Sequence, residues 1–268
     1  RNYAVHRGAN RFLIAGLLVT ADSNPWYFIS SIALVLVLGG LWLGFEASFY
    51  WHSVSPAVVI IFAYLWLSVL VNMLVAACKD PGILPRDLDR NPPMTTGDGD
   101  SGSIRAAYDP DDPLNTPMPR VIRIRNGQDL TVKWCETCRT YRPPRSSHCR
   151  ICDNCVDLID HHCIYLNTCI ARRNYIPFWA FLSYSILTSF VILVTCAVHL
   201  HLLTLPSSDR LPVNGSFGGG RNFKGALQDS PVSAMLFLLL IGAVIPVCML
   251  FRYHLRLVAL GRTTAEEV

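Results

Sequence analysis

Four long apolar runs, at roughly residues 26–46, 54–77, 176–204 and 232–251, dictate most of what this 268-residue chain can become. Each is near or beyond the ~20 residues that a helix needs to cross a ~30 Å hydrocarbon core. In lipid only helices and closed barrels satisfy their own backbone, and continuous apolar runs specify helices. Composition agrees, with 51% hydrophobic and 16% charged residues. Such a balance belongs to a membrane protein. The run Phe12–Val19 is too short to span and reads as an interfacial or strand segment. The first long run has no basic flank and no small-residue cleavage site, so it is not a signal peptide. Trp26, Tyr27, Trp51, Phe178 and Trp179 lie near run ends, where interfacial aromatics anchor helices.

Basic residues set an expected orientation. Lys and Arg are missing between the first two runs, and only Arg210, Arg221 and Lys224 separate the last two. The rest fall on the amino-terminal arm, the 79–175 segment and the carboxyl end, which the positive-inside tendency places in the cytosol. Many thiols in the 79–175 segment fit that reducing compartment. Asn214-Gly215-Ser216 is a glycosylation sequon that this topology puts in the lumen. The net charge of +4 is too small to argue for nucleic acid. The chain starts at Arg1 without an initiator Met and reads as a trimmed piece of something longer.

The 79–175 segment holds the chemistry. Its soft ligands run Cys135-x2-Cys138, His148-Cys149-x2-Cys152-x2-Cys155, His162-Cys163 and Cys169. Structural zinc takes four Cys or His donors in a tetrahedron, and CxxC pairs are its usual anchors. Nine candidates stand here before His161 is counted, whereas two closed sites use eight. One cysteine is left over. Spacing alone leaves the partition open, since Cys135, Cys138, Cys149 and Cys152 are also a thinkable set. No internal repeat is evident. Residues 93–119, rich in Pro, Gly, Asp and Ser, read as a mobile connection, and Asn126-Gly127-Gln128-Asp129 reads as the turn of a hairpin between 121–125 and 130–134.

Asp160-His161-His162-Cys163, with Arg142-Pro143-Pro144-Arg145-Ser146-Ser147-His148-Cys149 before it and Asn167-Thr168-Cys169 and Asn174 after it, resembles the signature of the DHHC protein S-acyltransferases. Asp80-Pro81-Gly82 and Thr263-Thr264-Ala265-Glu266 resemble that family's DPG and TTxE motifs. The resemblance therefore spans nearly the whole chain. Tyr165 and Ala171 depart from the family's usual Trp and Gly. Ser55–Val58, Ile60–Leu65 and Pro81–Arg86 further resemble the fungal Ras palmitoyltransferase branch, which works with an accessory subunit.

The resemblance implies a four-helix integral membrane protein with a cytosolic zinc-binding domain between the second and third helices. The implied divisions are an arm at 1–25, two membrane helices in 26–78, a linker at 79–119 and the cysteine-rich domain at 120–175. A third helix at 176–204, a lumenal loop at 205–231, a fourth helix at 232–253 and a tail at 254–268 complete them. It also implies two structural zinc ions, one on Cys135, Cys138, His148 and Cys155, the other on Cys149, Cys152, His162 and Cys169. Cys163 is then the nucleophile, His161 its base and Asp160 the carboxylate that orients the imidazole. The expected co-substrate is palmitoyl-CoA. The expected acceptors are membrane-proximal cysteines, those of Ras-type GTPases included, at an ER or Golgi membrane.

Because the third run begins a dozen residues after Cys163, an acyl chain is expected to enter a cavity between helices; Ser183, Ser185, Thr188 and Ser189 are candidate lining, although the expected role of each is helix packing. Two rivals come from other classes. A non-catalytic zinc scaffold would carry the metal without forming an acyl-enzyme. A metal transporter would need intramembrane ionisable groups, of which His199 and His201 are the visible candidates.

Overall fold

The structure is a computed structural model that describes residues 2–95, 116–205 and 222–267. The Asn214 sequon and most of the expected 93–119 connection lie outside the described residues. The chain separates into two compact units, one made of Arg1–Asn24, Cys78–Tyr175 and Thr263–Val268, the other of Pro25–Ala77 and Ile176–Arg262.

The second unit is helical. The apolar runs become α1 (Trp26–Phe45), continued by α2 (Ala47–Ser53), then α3 (Pro56–Cys78), α4 (Tyr175–Thr204) and, after the short α5 (Phe223–Asp229), α6 (Pro231–Leu260). Among the described residues, four spans are long and apolar enough to cross a membrane. Local signals set several ends. Asn222 caps α5 by accepting from the Gly225 N–H at 3.0 Å, Pro231 occupies the first turn of α6, and Gly261 at φ +64° closes α6 in the left-handed conformation that glycine adopts without strain. The helix α6 outruns its apolar run, continuing through Arg252, Tyr253, His254 and Arg256.

Leu34, Ile60, Phe190 and Leu238 project outward and exposed, a surface that suits lipid and not water. Inside, Trp42 stacks on Phe62 at 3.8 Å and joins Tyr50, Ile192, Cys196, Leu236 and Leu240. The polar ends of Trp42 and Tyr50 are paired, as a medium without water favours. Trp42 Nε1 donates to Thr195 Oγ1 at 2.8 Å, and the Tyr50 hydroxyl donates to the Thr195 carbonyl at 2.5 Å.

The first unit is built from antiparallel two-stranded ladders. Phe12–Val19 becomes the heart of a hairpin, β1 (Asn10–Leu13) with β2 (Leu18–Ala21), which selects the strand reading of that run. Then come β3 (Met94–Thr95) with β4 (Thr116–Pro117), and β5 (Arg120–Arg123) with β6 (Asp129–Val132). The last of these is the expected hairpin, its turn closed by Gly127 at φ +82° and by Ile124 N–H to Gln128 O at 2.9 Å. Three hairpins carry the cysteine-rich segment: β7 (Trp134–Cys135) with β8 (Thr140–Tyr141), β9 (Ser147–Cys149) with β10 (Asn154–Val156), and β11 (His161–Cys163) with β12 (Thr168–Ile170). The short α7 (Thr264–Glu267) ends the described chain.

Candidate active site

The donors gather into two sets, Cys135, Cys138, His148 and Cys155, and Cys149, Cys152, His162 and Cys169, with each set's ligand atoms within 4.8 Å of one another. The all-cysteine set that spacing left open is not the one assembled. Strand geometry explains the sorting. Successive side chains on a strand point to opposite faces, so His148 and Cys149, adjacent on β9, serve different sets. Each histidine lies directly across its ladder from a cysteine of its own set, His148 opposite Cys155 and His162 opposite Cys169. Each set is completed by a CxxC knuckle from the hairpin before.

The dimensions fit zinc. A tetrahedron with Zn–S of about 2.3 Å and Zn–N of about 2.0 Å has S···N edges of roughly 3.5 Å. From His148 Nδ1 the sulfurs of Cys135, Cys138 and Cys155 lie at 3.6, 3.4 and 3.9 Å. From His162 Nδ1 those of Cys149, Cys152 and Cys169 lie at 3.7, 3.4 and 3.7 Å. Beyond its sulfur-facing atom, His148 turns Nε2 toward the Asp153 carboxylate at 3.5 Å, the outer partner that commonly orients a metal-binding imidazole.

One regularity escaped the reading of the sequence. Every donor of the second set lies 14 residues after its counterpart in the first: Cys135 to Cys149, Cys138 to Cys152, His148 to His162 and Cys155 to Cys169. The expectation of no internal repeat is therefore corrected. The repeat is carried by metal donors alone, which hides it among unlike neighbours. Cys163 stands 14 residues after Cys149 and would begin a third unit, but Leu166 occupies the place where that unit's second knuckle cysteine would stand. The extra cysteine consequently has no set to join.

What it joins is an acid–base group on the other face of β11. His161 and Cys163 are two residues apart on one strand and share a face, with His162 turned to the metal set. The Cys163 side chain acts on the His161 ring and helps to raise its pKa. Its Nδ1 is 2.6 Å from Asp160 Oδ2, leaving Nε2 as the nitrogen available to the thiol. Asp160 is almost fully buried. Thr264 supports that carboxylate through its N–H to Oδ1 at 2.9 Å and its hydroxyl to Oδ2 at 2.8 Å. Burial alone would raise the Asp160 pKa, yet the bonds from His161 and Thr264 outweigh it and hold the carboxyl below its ordinary value. Burial would likewise lower His161, but the Asp160 and Cys163 partners prevail and push it up to about 9.

The flanking motifs are placed around this centre. Asp80 accepts from the Gly82 and Ile83 N–H groups at 2.9 and 3.0 Å, forming a turn whose following strand bridges Ile83 to Val156 of β10. Glu266 binds Arg145 through two bonds of 2.6 and 2.7 Å and also accepts from the Thr263 N–H at 2.8 Å. Half of the capping box that Thr263 and Glu266 suggest is thus formed, with the Arg145 pairing drawing the Glu266 pKa down to about 2. Tyr165 is exposed and Ala171 buried.

In the helical unit, Ser185, Thr188 and Ser189 line a cleft of about 70 Å³ with Gly39 and Trp66, whereas Ser183 bonds the Trp179 carbonyl at 2.9 Å. Sequence reading passed over Glu46. It is fully buried, 2.7 Å from His199 Nδ1, and accepts from the Ser233 hydroxyl. Neither Glu46 nor His199 belongs to a cluster of three metal-ligating groups among the described residues.

Comparison with known proteins agrees with the geometry. The profile described as "DHHC palmitoyltransferase" matches residues 129–268. The chain is 35% identical to "Palmitoyltransferase erf2" of Emericella nidulans, over 99% of this chain and 41% of that protein. It is also 35% identical to "Palmitoyltransferase erf2" of Schizosaccharomyces pombe, over 97% and 68%, and 31% identical to "Palmitoyltransferase ZDHHC14" of Homo sapiens, over 100% and 51%. It thus spans between 41% and 68% of the length of these relatives. With two interleaved donor sets, a supernumerary cysteine on the opposite face of the same strand and this similarity along its whole length, the chain belongs to the DHHC palmitoyltransferase family.

Proposed function

We propose that this chain is a protein S-acyltransferase that moves a palmitoyl group from acyl-CoA to cysteines of membrane-proximal proteins through a Cys163 acyl-enzyme. The observation that carries the reading is His161, held by Asp160 and sharing a face of β11 with Cys163, a thiol that neither donor set consumes. Cys163 attacks the thioester as thiolate, and the departing CoA sulfur takes a proton from the His161 imidazolium. An acceptor cysteine then passes its proton to His161, attacks the acyl-enzyme and releases Cys163 as thiolate. Asp160 holds the tautomer and stabilises the imidazolium, as in a Cys/His/Asp triad. The eight clustered donors would hold two zinc ions, whose chemistry is structural: each site is closed by four protein ligands and stabilises a segment poor in apolar bulk.

The acyl chain would lie among the helices, since Tyr175, where α4 begins, follows Cys163 by only 12 residues. The cleft of about 70 Å³ lined by Ser185, Thr188 and Ser189 falls well short of the roughly 300–1,000 Å³ of ordinary ligand pockets, so the helices must part to admit it. Resemblance to the fungal Ras branch supports Ras-type GTPases as substrates and an accessory subunit as partner. The distribution of Lys and Arg supports a cytosolic first unit and cytosolic termini.

Labelled palmitoyl-CoA tests the proposal, with the accessory protein present. A hydroxylamine-labile label on the wild-type chain that is lost in Cys163→Ala is the expected result. No label on zinc-loaded protein would favour a non-catalytic scaffold.

A further inference from the structure

Four residues beyond Cys163, at the turn from β11 to β12, Asn167 is 4% exposed and sits at φ +51°. Asparagine tolerates this left-handed conformation better than most residues. Every polar atom of its side chain is taken by the amino-terminal arm. Its Nδ2 donates to Thr20 Oγ1 at 3.1 Å and to the Ala21 carbonyl at 2.9 Å, and Ser23 Oγ donates to its Oδ1 at 2.5 Å. Its backbone carbonyl accepts from the Ala21 N–H at 2.9 Å and from Thr20 Oγ1 at 3.1 Å. A sequence separation of about 145 residues is thereby closed by a network in which each group is satisfied, the condition under which buried polar networks rigidify a site.

The arm is anchored at its other strand as well. Ala9 N–H bonds the Cys152 carbonyl at 2.8 Å, and Asn154 Nδ2 donates to Asn10 Oδ1 at 2.6 Å. The base of the hairpin is closed by Asp22 N–H to Ala9 O at 2.9 Å. The arm therefore runs from the knuckle of the second donor set to the turn behind the nucleophile. That turn needs support of its own. The metal set holds His162 and Cys169, both on the face of the hairpin opposite Cys163, and residues 164–168 contain no donor of either set.

We propose that the β1–β2 arm is a positioning element for the acyl-transfer reaction, acting through Thr20 and Ser23 on Asn167 to keep the turn, and with it the Cys163 thiol, in reach of His161. The proposal rests on the reading of Cys163 as nucleophile. The arm also touches the second donor set, through Ala9 on the Cys152 carbonyl and Ala21 packed with Cys149, Cys152 and Cys169, but the role assigned to Thr20 and Ser23 is distinct from metal binding, because neither touches a donor or a reacting atom in the bonds that hold Asn167.

The test compares the full chain with the double variant Thr20→Val/Ser23→Ala and with Thr20→Ser. Three quantities are read: the limiting rate of acyl-enzyme formation at saturating palmitoyl-CoA, the half-saturating concentration, and zinc bound per chain. Iodoacetamide alkylation of Cys163, corrected with Cys163→Ala, is measured in parallel. The double variant is expected to lower the limiting rate about tenfold, a misplacement effect, with half-saturation and zinc content unchanged. Thr20→Ser, which keeps the hydroxyl, retains the wild-type rate. An unchanged limiting rate in the double variant, or a loss that tracks zinc, overturns the proposal. If the wild-type chain forms no acyl-enzyme the transferase reading fails, and alkylation decides the arm separately. Slower alkylation in the zinc-loaded double variant upholds positioning of the thiol; equal alkylation overturns it.

Discussion

The hairpins β9–β10 and β11–β12 are built alike, yet one serves only metal sets and the other carries the candidate chemistry. Each has strands of three residues, places a histidine across from a cysteine and receives a CxxC knuckle from the hairpin before it. They diverge at the cysteine next to the histidine. Cys149, beside His148, finds Cys152 and enters the second set; Cys163, beside His162, finds Leu166 and enters none. A repeat of interleaved hairpins needs a fresh knuckle to continue. Where the knuckle stops, one donor is left with its reactivity unspent, facing His161 on the side of the strand that metal does not use. In the proposed reading, catalytic potential arises from ending a structural repeat one step short.

The largest expected effect comes from exchanging the fates of the two equivalent cysteines. Cys149→Ser should cost one of two zinc ions per chain and, since structural zinc contributes on the order of 10 kcal/mol, should abolish cooperative unfolding of the cysteine-rich segment. Cys163→Ser should keep both ions and the wild-type unfolding profile. Metal analysis with thermal unfolding checks the pair, and loss of zinc from Cys163→Ser would erase the contrast.

A smaller effect probes the reactive face alone. Asp160→Asn should slow acyl-enzyme formation by about 10²- to 10⁴-fold while zinc content holds. The His161 pKa is raised to about 9, so its contribution to stability is fully present below its unfolded value near ~6.5 and is lost as pH rises through 9. Asp160, held below its ordinary value, contributes above its unfolded pKa and loses that contribution as pH falls. Without the Asp160 carboxylate the imidazolium gives up its proton earlier. The basic limb of the pH–rate profile should accordingly move down from about 9, and an unmoved limb would contradict the Asp160–His161 coupling. The smallest effect is expected at the rim: Arg145→Ala removes the bidentate pair with Glu266, but both partners are substantially solvated, so stability should fall by less than about 1 kcal/mol.

Particular residues show how far the sequence reached. Asn126–Asp129 announced its hairpin because a turn is a local choice of φ. The donor count left Cys163 spare, although spacing could not divide the eight others, since CxxC pairs are interchangeable until strands assign them faces. Glu46 went unnoticed for the opposite reason: its partners His199 and Ser233 lie far along the chain on other helices. The Thr264 bond to Asp160 and the grip of Thr20 and Ser23 on Asn167 close comparable distances.

The sequence by itself determined the four membrane helices, because lipid admits no other way to satisfy the backbone of such runs, and it determined that the Cys and His donors of the 135–169 segment outnumber the places in two closed metal sites. Only the tertiary structure decided which donors share a set, which face of β11 meets His161, and that the amino-terminal arm braces the turn after Cys163. Helix formation is settled by residues within one turn of each other, whereas these choices depend on strand pairings and hydrogen bonds between residues that meet only after the chain has folded.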